Sequence, residues 1–499
     1  MKDTQELTKI IIVGGGTAGW MTAAAFINRL PKNFCQITLI ESSQIGSVGV
    51  GESTIPHIRQ FNQNLGIDEK TFIQQTDASF KLGIRFRNWR QIGDDYIHPF
   101  GEVGAITNGI EFHHYWARAQ QLGLESDFED FSLLAKASRQ GLFSDPAIVN
   151  QSQFCNYAYS YHLDATKFAH YLKNYAIERG VSHIDAKVIS VEQNDVGDIT
   201  SIELDNDTQL SADIFIDCSG FSSILLGKTL NSDFEDWSHW LPTNKAIVAQ
   251  SELVEHSLPL TTATALPAGW QWQIPIKQRM GNGHVYCDSY MSDDEAANLF
   301  RQNIKSKLIT EPRLLSFKAG VRPQSWKNNC IGIGLSAGFL EPLESTSIYL
   351  IQHSIFKFLE YFPNKQNMQA ERQQFNDEIN KTYQTIRDFI ILHYNLNNRD
   401  DNGFWVHQRQ MELPESLTFK KGLFAESGRV KPGQFGVWPS VCIGQGLTPQ
   451  YPDARINYLS KQQLEEFLRQ EKQKIAQTLK QLPPAHEYLT KIYQEVSCD

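Results

Sequence analysis

One stretch near the N-terminus restricts the fold more than any other. In KIIIVGGGTAGWMTAAAFINRL, an apolar strand from Ile10 to Val13 runs into Gly14-x-Gly16-x-x-Gly19 and then into an alanine-rich helix. The glycines permit a tight turn and let the backbone approach a pyrophosphate. At the helix N-terminus, free N–H groups and the dipole favour anions. A second apolar strand, QITLIE, ends in Glu41, and an acid there accepts hydrogen bonds from a ribose 2′-hydroxyl. The glycines alone are a weak signal. The strand before, the helix after and the acid closing the next strand predict a dinucleotide site, against the competing reading of a glycine-rich turn at a close helix–strand contact.

Further segments bear on which dinucleotide. GSVGVGESTIP (46–56) is a second glycine-rich loop, placed to line the rest of a long cofactor. LSADIFIDCSGFSS (210–223) has a buried apolar strand ending at Asp217 and a turn at Gly220. NNCIGIGLSAGFLEPLESTSI has another strand, a glycine turn and then a helix. Three strand–glycine-turn units suit FAD, whose two halves sit on different segments. GIGLSAG (332–338) has the wrong spacing for a second nicotinamide site, and GQG (444–446) lacks a strand–helix frame. Such a flavoprotein needs reducing equivalents from elsewhere.

The chain has 499 residues, enough for one large core or two or three ordinary ones. It is 41% hydrophobic and 20% charged, as soluble globular proteins are. A formal charge of −10 without a basic block argues against nucleic-acid binding. The cysteines at 35, 155, 218, 287, 330, 442 and 498 form no C-x-x-C pair. They suit reduced thiols in a cytoplasmic protein, not a disulfide framework or a metal site. With no apolar run near 18 residues, no membrane span is expected.

TDASFKLGIRFRNW (76–89) alternates Phe80, Leu82, Ile84 and Phe86 against Lys81, Gly83, Arg85 and Arg87. Period two predicts a strand, and the plain reading is an edge strand with a basic solvent face. In YIHPFG, His98 and Phe100 share one side of an extended segment, as a surface pair or as a stack for a planar ligand. GWQWQIP (269–275) puts Trp270, Trp272 and Ile274 on one strand face. That face suits a core, or the wall of a passage that excludes water. In EPLESTSIYLIQHS (341–354), Glu344 precedes a hydroxyl-rich helix start that offers more oxygens than a cap needs.

Taken together and in this order, GGGTAGW (14–20), GVGESTIP (49–56), TDASFK with Lys81, HPFG (98–101), IDCSGF (216–221), GWQWQIP and GFLEPLESTSI (338–348) resemble the flavin-dependent tryptophan halogenase family. The resemblance spans most of the chain, from residue 9 to about 410. It implies an α/β fold: a glutathione-reductase-like Rossmann domain for FAD, a substrate-side sheet and a mostly helical C-terminal region. Its FAD contacts would be Gly14, Gly16, Thr17, Ala18, Gly19, Glu41, Gly49, Val50, Gly51, Val188, Leu335 and Ile348. Reduced FAD and O2 would give hypohalous acid from a halide held by Thr346 and Ser347. The oxidant would pass Trp270, Trp272 and Ser345 to reach Lys81. That lysine would hold it for electrophilic substitution, with Glu344 taking the ring proton. His98, Phe100 and Trp438 would contact the substrate.

Two departures from the family pattern stand out. Ser347 occupies a position where free-tryptophan halogenases carry glycine. The segment 423–459 lacks the adjacent tyrosines, glutamate and Phe-Trp pair that grip the amino and carboxyl groups of free tryptophan. The expected substrate is therefore an indole-like aromatic, with free tryptophan one candidate among several. The expected partners are that substrate and a separate NADH-dependent flavin reductase, with neither nucleic acid nor membrane, and a homodimer as a permitted assembly. The alternatives are an aromatic hydroxylase and a non-catalytic flavoprotein. No repeats or linkers interrupt the chain. Residues 1–360 are expected to form the FAD module with its inserted sheet, the FAD part being about 1–85, 150–235 and 315–360. Residues 361–499 are expected to form a helical cap, with HYNLNNRDDNGFW (393–405) as a loop.

Overall fold

The computed structural model describes residues 7–45, 51–146, 149, 157–254, 257–365, 368–430 and 437–495. Strand Lys9–Val13 lies near the middle of a six-stranded sheet whose order is Trp326–Lys327, Cys330–Gly332, Ile214–Asp217, Lys9–Val13, Gln36–Glu41, Ser182–Asp185. All neighbours are parallel except the Trp326–Lys327 edge. Central parallel strands are buried on both faces, and this one sends Ile10 and Ile12 into one hydrophobic cluster and Ile11 and Val13 into another. Helix Thr17–Arg29 covers the first face and packs on helix Ser347–Glu360, where Phe26 stacks on Phe358 at 5.3 Å. The three strands that run into glycine turns are immediate neighbours, so their turns meet at one end of the sheet. Ligands of open α/β sheets bind outside that carboxyl end.

A seven-stranded sheet is assembled from 83–99 and 245–316, in the order Arg313–Ser316, Lys245–Glu252, Arg279–Tyr286, Gly269–Pro275, Thr261–Leu266, Gly83–Arg87, Asp95–Pro99. A small antiparallel sheet of Gly51–Ser53, Ser160–Asp164 and Ser79–Lys81 adjoins it. The expected single strand over 76–89 is therefore two strands that change sheets at Leu82. That break explains why the solvent-face reading of Lys81 fails: Phe80, Lys81 and Leu82 are all buried, and the alternation resumes only with half-buried Arg85 and exposed Arg87.

From Ser347 onward the chain is mostly helical, with long helices at Gln369–Asn395 and Lys461–Leu479. The loop expected over 393–405 is shorter: the helix runs through Asn395 and another begins at Gly403. His393 and Tyr394 are fully buried, and that burial keeps the last turn helical. No helix among the described residues is long and apolar enough to cross a membrane.

Candidate active site

The glycine turn after the first strand has the geometry its spacing requires. Gly14 has φ +115°, and a Cβ there would lie 2.3 Å from the Cys218 carbonyl oxygen. One on Gly19 would lie 1.8 Å from the Gly14 carbonyl oxygen. A Cβ on Gly16 would meet nothing within 4 Å, so this residue faces open space at the helix start. Helix geometry leaves the N–H groups of Thr17, Ala18 and Gly19 without intrahelical partners, and no acid sits in the first turn. The strand-to-turn unit at 330–338 closes against the same helix, where a Cβ on Gly334 would touch Ala18 at 3.1 Å and Ile351 at 3.4 Å. Half-exposed Leu335 and buried Ile348 flank this meeting point. The pattern of a bare backbone turn, free amides and adjoining apolar surface fits a dinucleotide.

Glu41 ends its strand over Gly15, and its carboxylate contacts Lys173 at 2.7 Å, His183 at 3.0 Å and the Trp20 indole N–H at 3.3 Å. Val188 opens the strand Val188–Gln193 and packs with Ile184 and Leu210 under the sheet. Gly49 and Val50 lie outside the described residues; Gly51 opens the strand paired to Asp164.

The second half of the site surrounds Lys81 and Glu344, which come from opposite parts of the chain. Pro342–Glu344 is a single tight turn, and Ser345 follows it in a left-handed conformation, φ +59°. A non-glycine residue rarely adopts that conformation. Here it reverses the chain between the carboxylate-bearing turn and the helix that starts at Ser347. Lys81, wholly buried, donates to the Ser345 hydroxyl at 2.8 Å and to the Thr54 carbonyl at 3.0 Å. Its ammonium nitrogen also lies 4.8 Å from the centre of the half-buried Phe100 ring. Burial pushes its pKa down to about 7, against an opposing pull from Glu344.

Glu344 is 2% exposed and sits between two imidazoles. His98 Nδ1 lies 3.0 Å from Oε2, and His393 Nε2 lies 2.7 Å from Oε1. Burial pushes the Glu344 carboxyl up, but His98 and His393 outweigh it and hold it below the usual carboxylate range. The other His98 nitrogen, Nε2, accepts from the Val437 N–H at 3.1 Å. Both ring nitrogens are thus committed, and only the ring faces and carbon edge are left for a ligand. The next residue, Trp438, is buried with its ring 5.6 Å from Phe389. The Phe389 ring lies 5.6 Å from His98 and 5.1 Å from His393.

Thr346 occupies the N-cap position of helix Ser347–Glu360 without making a side-chain capping bond, and its buried hydroxyl has no hydrogen-bond partner among the described residues. Half-buried Ser347 begins that helix, whose first turn carries no acid. Trp270 and Trp272 are buried with ring centres 5.8 Å apart; Trp272 lies against Gly283 of the paired strand, where a Cβ would meet its ring at 1.9 Å.

His393 and Phe389 were missed by the sequence reading. The one signal was a histidine within the apolar run FIILHY, which reads as core. Glu341 also went unremarked. It is fully buried, accepts from the Thr243 hydroxyl, and burial pushes its carboxyl up to about 7.

Residues 9–461 match the family model described as tryptophan halogenase. The chain is 35% identical over 434 residues to the 7-chloro-L-tryptophan 6-halogenase KtzR of Kutzneria sp. (strain 744), covering 82% of this chain and 83% of that protein. Among solved structures it resembles Xcc4156, a flavin-dependent halogenase from Xanthomonas campestris, with TM-score 0.93, 38% identity and 98% of each chain covered. It also resembles BrvH, a flavin-dependent halogenase from Brevundimonas sp. BAL3, with TM-score 0.94, 38% identity and coverage of 98% and 99%.

Proposed function

The chain belongs to the tryptophan halogenase family, and from that premise we propose that it halogenates an indole-like ring through Lys81 and Glu344. One observation carries the reading. An amine and a carboxylate more than 260 positions apart are both buried, and Lys81 bonds to Ser345, the residue next to Glu344. A hydroxylase would have no use for that amine, and a binding module none for either group.

Reduced FAD, when bound, supplies the electrons that let O2 and a halide yield hypohalous acid. The glycine turn at Gly14, Gly16 and Gly19, with the amides of Thr17 and Ala18, would hold the pyrophosphate. Leu335 and Ile348 would border the cofactor, with Val188 and Glu41 toward its adenosine half. The amides of Thr346 and Ser347 would hold the halide, because unpaired donors at a helix start favour anions. Trp270 and Trp272 would keep water from the passage that the oxidant takes past Ser345.

At the substrate end, Lys81 binds the oxidant and turns the halogen toward the ring. Protonated, it donates to the hypohalite oxygen; neutral, it offers a lone pair. Glu344, kept ionised by its two imidazoles, stabilises the cationic ring and removes its proton. His98 orients that carboxylate with its Nδ1–H, and Phe100, Trp438 and Phe389 supply flat surfaces for an aromatic guest. The FAD part is taken as about residues 1–85, 150–235 and 315–360, because these segments contribute every strand of the six-stranded sheet.

The test is to incubate the protein with FAD, an NADH-dependent flavin reductase, NADH and bromide against a panel of indoles, free tryptophan and tryptophan-containing peptides. A product with the paired bromine isotope pattern is expected. Hydroxylated products, or oxygen consumption with no brominated product across the panel, would refute the reading.

A further inference from the structure

Lys81 heads a buried chain of hydroxyls of which the scheme above uses only Ser345. Its Nζ donates to Ser345 Oγ at 2.8 Å; Ser345 Oγ lies 2.9 Å from Ser53 Oγ; Ser53 Oγ lies 2.7 Å from Thr261 Oγ1; and Thr261 Oγ1 lies 2.9 Å from His162 Nε2. None of these residues is more than 6% exposed. The small sheet sets Ser53 opposite His162, and Thr261 at the start of its strand closes the path between them.

The far end of the chain sets its polarity. His162 Nδ1 faces Ser79 Oγ at 3.4 Å, and the Ser79 hydroxyl donates its proton to the Pro275 carbonyl at 2.5 Å. Ser79 can then only accept from the ring, so the imidazole proton sits on Nδ1 and Nε2 carries the lone pair. At the near end an ammonium donates and never accepts. With both ends settled, each hydroxyl between them has one way to point: Ser345 to Ser53, Ser53 to Thr261, Thr261 to His162.

Building on the reading of Lys81 as the oxidant-handling amine, we propose that this chain is a proton relay between Lys81 and His162, with Ser345, Ser53 and Thr261 as its links and His162 as a positioning residue. Transfer along it turns the ammonium into a neutral amine and His162 into an imidazolium, each hydroxyl passing one proton and receiving one. The amine takes halogen from hypohalous acid, forming an N–halogen bond and releasing water. The hop has also reversed every hydroxyl, so donors now point back at Lys81. As the halogen leaves nitrogen for the ring carbon, the proton returns along the same path. Glu344 takes the ring C–H proton and then gives it to the amine, which restores the ammonium. The sum is hypohalous acid plus arene giving haloarene plus water.

Burial opposes charge on both termini. Among the described residues, Glu344 is the charged group acting on Lys81, and Lys81 is the one acting on His162. Burial first, and then the charge on Lys81, hold His162 well below its ordinary value, and the penalty from Lys81 vanishes once the proton moves.

The experiment compares the parent with Thr261→Val, Thr261→Ser, Ser53→Ala and His162→Gln. Brominated indole formed in a single turnover of reduced FAD is measured at about pH 6 and about pH 9, on either side of the ordinary histidine and depressed lysine ranges. FAD binding and oxygen consumption serve as controls. At the lower pH, Thr261→Val, Ser53→Ala and His162→Gln are each expected to form product at least about tenfold more slowly. The deficit should close at the higher pH, where Lys81 starts neutral, and Thr261→Ser should match the parent throughout. Parent-like rates in the interrupted variants at low pH would overturn the relay, and so would a deficit equal at both pH values. Absence of brominated product from the parent itself would overturn the halogenase reading, and the relay with it.

Discussion

At the carboxyl end of the six-stranded sheet the chain offers backbone: Gly14 and Gly19 leave no room for a side chain, and Gly16 faces open space. Around Lys81 and Glu344 it offers side chains that are nearly all spoken for. Lys81 has two acceptors, Glu344 has two imidazoles, and both nitrogens of His98 are engaged. The first half suits a large ligand recognised through amides and shape. The second suits a small reactive one handled by a few buried groups, Lys81 shifted down by burial and Glu344 held low by its two imidazoles. A backbone turn tolerates loss of contacts gradually. A buried polar network does not, because each lost partner leaves another group unpaired.

That contrast can be broken experimentally. The largest effect is expected for Lys81→Ala: brominated product should fall by at least about 100-fold, as for removal of an electrostatic group at the reacting centre, with FAD affinity and oxygen consumption near the parent. Loss of FAD binding in that variant would mean the two halves are not separable. Next comes Glu344→Gln, which keeps shape but removes the proposed base; product turnover should drop by at least about tenfold, and an unchanged rate would take Glu344 out of the proton step. Gly16→Ala probes the other half. It introduces no strain and no clash in the protein, so unfolding free energy should stay within about 0.5 kcal/mol of the parent. FAD affinity, measured by fluorescence quenching, should weaken by about tenfold, the equivalent of roughly 1.4 kcal/mol; unaltered affinity would place the pyrophosphate elsewhere. The smallest effect is expected for Ser347→Gly. It should alter the ratio of chlorinated to brominated product in mixed halide while leaving total turnover near the parent, and an identical ratio would mean that this side chain points away from the halide.

The glycine-turn half was legible because its requirements are local. A strand, a glycine turn and a helix are neighbours in sequence, and Gly19 has no room for a side chain because the Gly14 carbonyl, five residues earlier, lies against it. The parallel sheet follows from the same periodicity. The other half was legible only as a resemblance. Read by itself, TDASFK gave a lysine on an edge strand, and the structure buries it because the strand changes sheets at Leu82. His393 sits in the apolar last turns of a helix and reads as core until the fold brings Glu344 within 2.7 Å. Ser53, Thr261 and His162 carry no motif that marks them as a set.

By itself, then, the amino-acid order determined the strand, glycine turn and helix at the N-terminus and which segment could cradle a dinucleotide, since backbone conformation and helix dipoles act over a few residues; it did not place the strand break at Leu82 or the helix end at Asn395. The tertiary structure alone decided that Lys81 would be wholly buried, that Glu344 would lie between two histidines, and that hydroxyls from three distant segments would line up behind the amine. Those outcomes depend on desolvation and on hydrogen-bond distances between groups hundreds of residues apart, and no local pattern encodes either.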